Sequence, residues 1–261
     1  MSKETIKRIF RLPHIQGGDM DGGGTDGGNM SGADMTMADE TVTEDLTYFQ
    51  KVRREIEPLL PAAPARILEI GCGAGATLAW LKQRWPQAET FGVEGHRPLE
   101  PLLRTRLDNV LIHDLEQPLP DLGKFDLILA LDVLEHLRDP WAVLGTLRQT
   151  VLAPGGVVIV SVPNVAHYSV TVPLAFGGRF TYAEDGLLDR THLRFFDEDG
   201  ARGLMAAAGL TVTDGVATGF AGLRQTLAQK LSFGLLQRYI TMQFVMRGEA
   251  GGSPMRRWRI F

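Results

Sequence analysis

One stretch decides what this chain can fold into: Arg66-Ile-Leu-Glu-Ile-Gly-Cys-Gly-Ala-Gly-Ala-Thr-Leu-Ala-Trp80. An apolar run breaks into glycines at alternate positions (Gly71, Gly73 and Gly75) and then resumes as a helix start. A buried strand, a glycine turn and a helix N-terminus let the charged part of a ligand approach bare backbone. In open α/β sheets, ligands sit at the carboxyl ends of the strands beside the switch point, and this loop is where that crevice forms.

The rest of the chain has the period that such a sheet needs. Short apolar runs and amphipathic stretches alternate: strand 66–70, helix 75–85, strand 90–94, helix 98–107, strand 109–114, strand 125–131, helix 139–152 and strand 157–163. This pattern predicts an α/β fold with a doubly wound parallel sheet. Leu46, Phe49, Val52, Ile56, Leu59 and Leu60 recur at helical spacing, so a helix over 41–60 is expected, stopped by Pro61 and Pro64. A final helix (197–208) and two strands (210–217 and 239–247) complete the expected domain, 41–250.

Before the domain, residues 1–40 read as a flexible tail, because 16–35 are nearly all Gly, Asp, Met and small polar residues. A second tail is expected at 251–261. Two insertions, 164–196 and 219–238, are long enough to cover an acceptor. In the second, Leu223, Leu227, Leu231, Leu235 and Leu236 stand at helical spacing, which fits core packing or a lid, or else a homodimer or membrane-surface contact.

Composition removes several function classes. The net charge of −4 provides no basic field to hold phosphates, which speaks against a nucleic-acid partner. Cys72 is the single cysteine, so an intramolecular disulfide framework and a multi-cysteine zinc site are excluded and a cytoplasmic setting is expected. No stretch has the length of a membrane span, and the start has no signal-peptide apolar core.

The glycines alone also fit a dinucleotide fingerprint, Gly71-x-Gly73-x-x-Ala76. The acidic residues decide between the ligands. Glu69 sets a carboxylate where S-adenosylmethionine carries an ammonium group and where a pyrophosphate would be repelled. Glu94 and Asp114, at the ends of the next two strands, are placed to accept from ribose hydroxyls and from an adenine amino group.

With Phe125-Asp-Leu-Ile-Leu-Ala-Leu-Asp132 and the turn Leu152-Ala-Pro-Gly-Gly156, these motifs resemble the class I S-adenosylmethionine-dependent methyltransferases over 45–250. The resemblance implies a seven-stranded sheet ordered 3-2-1-4-5-7-6 with strand 7 antiparallel, and the cofactor lying across strands 1, 2 and 4. It implies cofactor contacts at Glu69, Gly71, Cys72, Gly73, Gly75, Glu94, Gly95, Asp114, Leu115, Leu131 and Asp132. Cys72 is then a small buried turn residue, since nothing basic beside it in sequence would lower its pKa.

The acceptor side should begin at Asp132-Val-Leu-Glu135-His136. This order resembles ubiquinone-type O-methyltransferases and enzymes that methylate ribose at small-RNA ends, in which a Glu-x-x-Glu-His pattern contributes to a metal site. By that resemblance Asp132, Glu135 and His136 could hold Mg or Mn, although Asp132 is one methylene shorter than the pattern. His136 is the expected general base, because imidazole titrates near neutrality.

Asn164, His167 and Tyr168, after the fifth strand, face the same crevice and could line an acceptor pocket. If 188–196 is extended, Arg190, His192 and Arg194 share one face that could grip an anionic acceptor. The expected catalytic set is therefore His136, His167 and His192, with Glu135, Asn164, Tyr168, Arg190 and Arg194 around the acceptor. The same blocks resemble bacterial methyltransferases of polysaccharide and secondary-metabolite assembly, which implies a small-molecule or glycan acceptor methylated on oxygen. Metal-assisted ribose methylation of RNA and a non-catalytic cofactor-binding subunit are the alternatives.

Overall fold

The computed structural model describes residues 51–219 and 236–261. Its centre is a sheet whose strands follow the expected alternation: β1 (Arg66–Ile70), β2 (Glu89–Glu94), β3 (Asn109–Ile112), β4 (Phe125–Leu131), β5 (Leu152–Pro163), β6 (Thr211–Thr218) and β7 (Gln243–Glu249). The order is β3-β2-β1-β4-β5-β7-β6, extended at the edge by a short β8 (Arg259–Ile260). β7 runs antiparallel between β5 and β6, while β1 to β5 pair in parallel. The order reverses between β1 and β4, so the crevice opens at their carboxyl ends.

The strands are apolar on both faces because helices cover both. Leu68, Ile70, Ile128 and Val160 pack into one core with α5 (Glu198–Ala207), while Ile67, Leu127, Leu129 and Ile159 pack into the other with α1 (Ala76–Arg84). On the second side α2 (Glu100–Arg106) contributes Leu103. α3 (Pro140–Thr146) starts at Asp139, whose side chain accepts from the Ala142 amide at 2.9 Å. The helix expected over 139–152 then loosens into a π-helical turn, Leu147–Val151, and β5 begins earlier than its apolar run predicted, at Leu152.

Several expectations need correction or limits. Of the helix expected over 41–60, the described part is a 3-10 turn, Arg54–Leu59, since Pro58 has no N–H to continue an α-helical ladder. The insertion 164–196 is not loop throughout: α4 (Tyr168–Gly177) stands at its start. A further short helix, α6 (Gln237–Ile240), precedes β7. The leucine-rich stretch 220–235 and the tail 1–40 lie outside the described residues.

The stretch 251–261 is not a free tail. Trp258 lies against Phe244, with ring centroids 4.8 Å apart, and donates from Nε1 to Glu198 at 2.8 Å; Arg259 pairs with Asp214, and β8 pairs with β6. Trp258→Ala is expected to lower unfolding stability by about 2 to 3 kcal/mol in urea titration. An unchanged midpoint would mean that this stretch does not belong to the folded unit.

Candidate cofactor and acceptor site

The turn after β1 depends on its glycines. Gly71, Gly73 and Gly75 have φ of 63°, 54° and 74°, the left-handed region that side chains disfavour. A Cβ on Gly71 would also come within 2.7 Å of Val133, so the turn is packed against a residue two past the end of β4. Beneath it, Gly92 of β2 leaves room for Cys72, whose sulfur would lie 2.7 Å from a Cβ there. Burial, with Glu69 and Glu94 nearby, pushes the Cys72 thiol well up, so it is a packed turn residue.

Glu94 sets the shape of this turn. One carboxylate oxygen accepts from the Gly73 amide at 2.8 Å and the other from the His96 amide at 2.7 Å. Burial raises its pKa, and those amides oppose the rise. Glu69, 4% exposed, sits near the carboxyl end of β1 with Oε2 lacking any hydrogen-bond partner. Burial pushes its carboxyl up to about 8 despite the pull of Arg53. A buried acid with one oxygen unpartnered, at a left-handed glycine turn, fits a ligand that brings an ammonium group.

Other expected cofactor residues lie along the same edge. Leu131 closes β4 inside the core; Gly95 is exposed just past β2; Leu115 is partly buried. Asp114 falls two residues beyond the end of β3, exposed, with Oδ1 accepting from the Glu116 amide at 2.9 Å.

Asp132 behaves differently from the sequence expectation. It is the one non-glycine residue with positive φ among the described residues, at 54°. Its carboxylate pairs with Arg53, takes the Ser161 hydroxyl at 2.7 Å and accepts from Gln243. Arg53 also pairs with Glu55 and reaches Ser161 and Gln243. Asp132 is thus a structural node already neutralised by a guanidinium, and it is not part of the metal-ligand candidate group.

The acceptor side instead gathers Glu135, His136 and His192. The two imidazoles meet edge to face at 4.8 Å, and ligand atoms of all three residues lie within 4.8 Å of one another. Glu135 is 1% exposed, with neither carboxylate oxygen hydrogen-bonded; burial, reinforced by Asp132, holds its pKa well above the usual range. Burial and the neighbouring His192 lower His136 to about 4, and burial lowers His192 as well.

The remaining expected residues do not join this group. The Asn164 side chain is fully employed: its amide donates to Arg238 and Thr241 carbonyls at 2.7 Å each, and its oxygen accepts from Ala166 at 3.1 Å. His167 caps α4 by accepting the Ser169 amide, and exposed Tyr168 stacks on it at 4.3 Å. The segment near 190 turns instead of extending, because Asp189 binds the Thr191 amide at 2.7 Å. Arg190 therefore faces outward to Glu184, Arg194 donates to the Arg138 carbonyl, and His192 turns inward alone.

Arg53, Ser161, Gln243 and Thr191 belong to the site and were not among the expected residues. Ser161 alone left a signal, standing at the carboxyl end of an apolar strand.

A family model described as a methyltransferase domain matches residues 45–214. The chain belongs to that family. Its sheet order and the cofactor crevice are those of a class I S-adenosylmethionine-dependent methyltransferase. Among curated relatives, trans-aconitate 2-methyltransferase of Deinococcus radiodurans is 32% identical over 49% of this chain and 50% of its own length. Demethylmenaquinone methyltransferase of Thermus thermophilus is 33% identical over 41% of this chain and 51% of its own. The chain spans about half the length of these relatives. A methyltransferase from Thermotoga maritima, described as a possible histamine N-methyltransferase, shares the fold at a TM-score of 0.55, with 21% identity over 83% of this chain and 95% of its own.

The buried Glu69 makes this methyltransferase sensitive to pH. Folded, the carboxyl keeps its proton to about pH 8, whereas unfolding returns it to 4.5. The folded state therefore binds more protons in that window, and stability falls as pH rises through it. Ligand-free protein should show a lower urea midpoint at about pH 8 than at about pH 5, and Glu69→Gln should flatten the slope.

Proposed function

We propose that this methyltransferase moves the methyl group of S-adenosylmethionine to an oxygen of a small-molecule or glycan acceptor, a hydroxyl or a carboxylate, with His136 as general base. The observation that carries the reading is the cluster of buried Glu135 and half-buried His136, just past β4, with buried His192 of the insertion, and with Val133 of the same turn packed on the cofactor loop at Gly71. The bound sulfonium supplies the methyl group by direct displacement. As the acceptor oxygen bonds the methyl carbon, sulfur keeps the electron pair, and Nε2 of the uncharged His136 takes the hydroxyl proton. A carboxylate acceptor needs no base, and alignment then supplies most of the rate.

The similarity to an enzyme named for trans-aconitate supports a small acceptor. No described helix is long and apolar enough to cross a membrane. A cytoplasmic setting and a homodimer are parts of the same proposal, the latter supported by exposed apolar residues on α4 such as Phe176, 88% exposed.

The test is incubation with methyl-labelled cofactor and fractionated host extract. Label should enter the small-molecule or glycan fraction. With a hydroxyl acceptor, His136→Ala should lower kcat by about 10²- to 10⁴-fold, with S-adenosylhomocysteine affinity unchanged; with a carboxylate acceptor the rate should change little. Label confined to RNA would overturn the acceptor class, and tight product binding with no label anywhere would favour a non-catalytic subunit.

A second reading adds a divalent cation, Mg or Mn. It is favoured by the unpartnered Glu135 carboxylate facing two imidazoles, and it replaces the expected Asp132 with His192. A cation held by Glu135, His136 and His192 would polarise the acceptor oxygen. Calorimetric titration with Mn²⁺ should show one site that His192→Ala abolishes; no heat in the unmodified protein would remove this reading.

A further inference from the structure

His136 is held by the insertion 164–196. His136 Nδ1 lies 3.2 Å from the Thr191 carbonyl oxygen and 3.1 Å from the Thr191 hydroxyl oxygen. A carbonyl can only accept, so Nδ1 must carry the proton, which leaves Nε2 as the ring's acceptor. The Thr191 hydroxyl spends its own hydrogen on Asp189 Oδ1 at 2.6 Å, so toward His136 it too acts as an acceptor. The same Asp189 oxygen takes the Thr191 amide at 2.7 Å.

One carboxylate oxygen thus aims both acceptors of Thr191 at a single ring nitrogen. The turn that carries them is closed on itself: the Arg190 amide donates to the Ala183 carbonyl at 3.1 Å, and the Ala183 amide to the Leu188 carbonyl at 2.8 Å. It is also tied to the residue before His136, because the Leu193 and Arg194 amides donate to the Glu135 carbonyl at 2.8 and 3.0 Å. His192 is held in parallel fashion, its Nδ1 lying 3.3 Å from the Leu187 carbonyl oxygen.

We propose that Asp189 and Thr191 are positioning residues, which fix the ring of His136 in the Nδ1-protonated tautomer and so keep Nε2 as its basic nitrogen. The proposal rests on the reading of His136 as the acceptor-side base, but its first measurement needs neither acceptor nor methyl transfer. Nitrogen NMR of histidine-labelled protein, with His136 assigned by its absence in His136→Asn, reports which ring nitrogen bears hydrogen.

The unmodified protein should show Nε2 of His136 unprotonated. Asp189→Ala, which frees both Thr191 acceptors, should give a mixture of tautomers and lower kcat about 10- to 100-fold, with product affinity unchanged within about twofold. Asp189→Asn keeps an accepting Oδ1 and should preserve both tautomer and rate. Should Asp189→Ala not fold, Thr191→Val removes only the hydroxyl and should shift the tautomer ratio in the same direction.

A proton on Nε2 in the unmodified protein would overturn the proposal, as would a tautomer unaltered by either Asp189→Ala or Thr191→Val. So would equal losses of rate in the alanine and asparagine variants with no change at the ring. Absence of methyl transfer in the labelled-extract assay would instead remove the base role of His136 and leave the tautomer measurement as it stands.

Discussion

Everything at the carboxyl edge of the sheet hangs on how β4 ends. Asp132 adopts a left-handed backbone, which aspartate tolerates better than most residues but which still needs support. The support comes from three directions: Ser161 of β5 bonds both its amide and its carboxylate, Gln243 of β7 reaches across, and Arg53 provides the counter-charge. The sharp bend places Val133 on the glycine turn and sends Glu135 inward. The cofactor loop and the acceptor cluster are therefore two sides of one corner.

That corner is acidic and largely buried. Glu69, Glu94 and Glu135 are all buried and all pushed toward their neutral forms, and Arg53 is the cation set among the acids. A surface of this kind disfavours phosphates and favours a ligand with its own positive charges, which a sulfonium bearing an ammonium group supplies. The sign of the field, more than the glycines, separates this crevice from a dinucleotide site.

The fold was legible because strand burial and helix periodicity are local properties, and the glycine turn was legible because left-handed φ restricts the residue choice. Glu69 and Glu94 could be read from their places at strand ends. Arg53 could not, since in sequence it looks like one more solvated charge on an expected helix. Asn164 and His167 looked like site residues because polar side chains after a strand often are, yet Asn164 is consumed by backbone hydrogen bonds and His167 spends Nδ1 on capping α4 at Ser169, with Nε2 left buried and unpartnered. His192 and His136 are distant in sequence, and only the turn at Asp189 brings one inward while sending Arg190 out.

The two hydrogen bonds that the Leu193 and Arg194 amides donate to the Glu135 carbonyl make the insertion part of the strand end. If the acceptor binds here as proposed, it meets walls that already stand, and little chain entropy remains to be lost. Discrimination on this side should come from the fit of a rigid cup, with association close to a single step. Loop exchange between relatives would transplant that selectivity only together with the turn that follows β4.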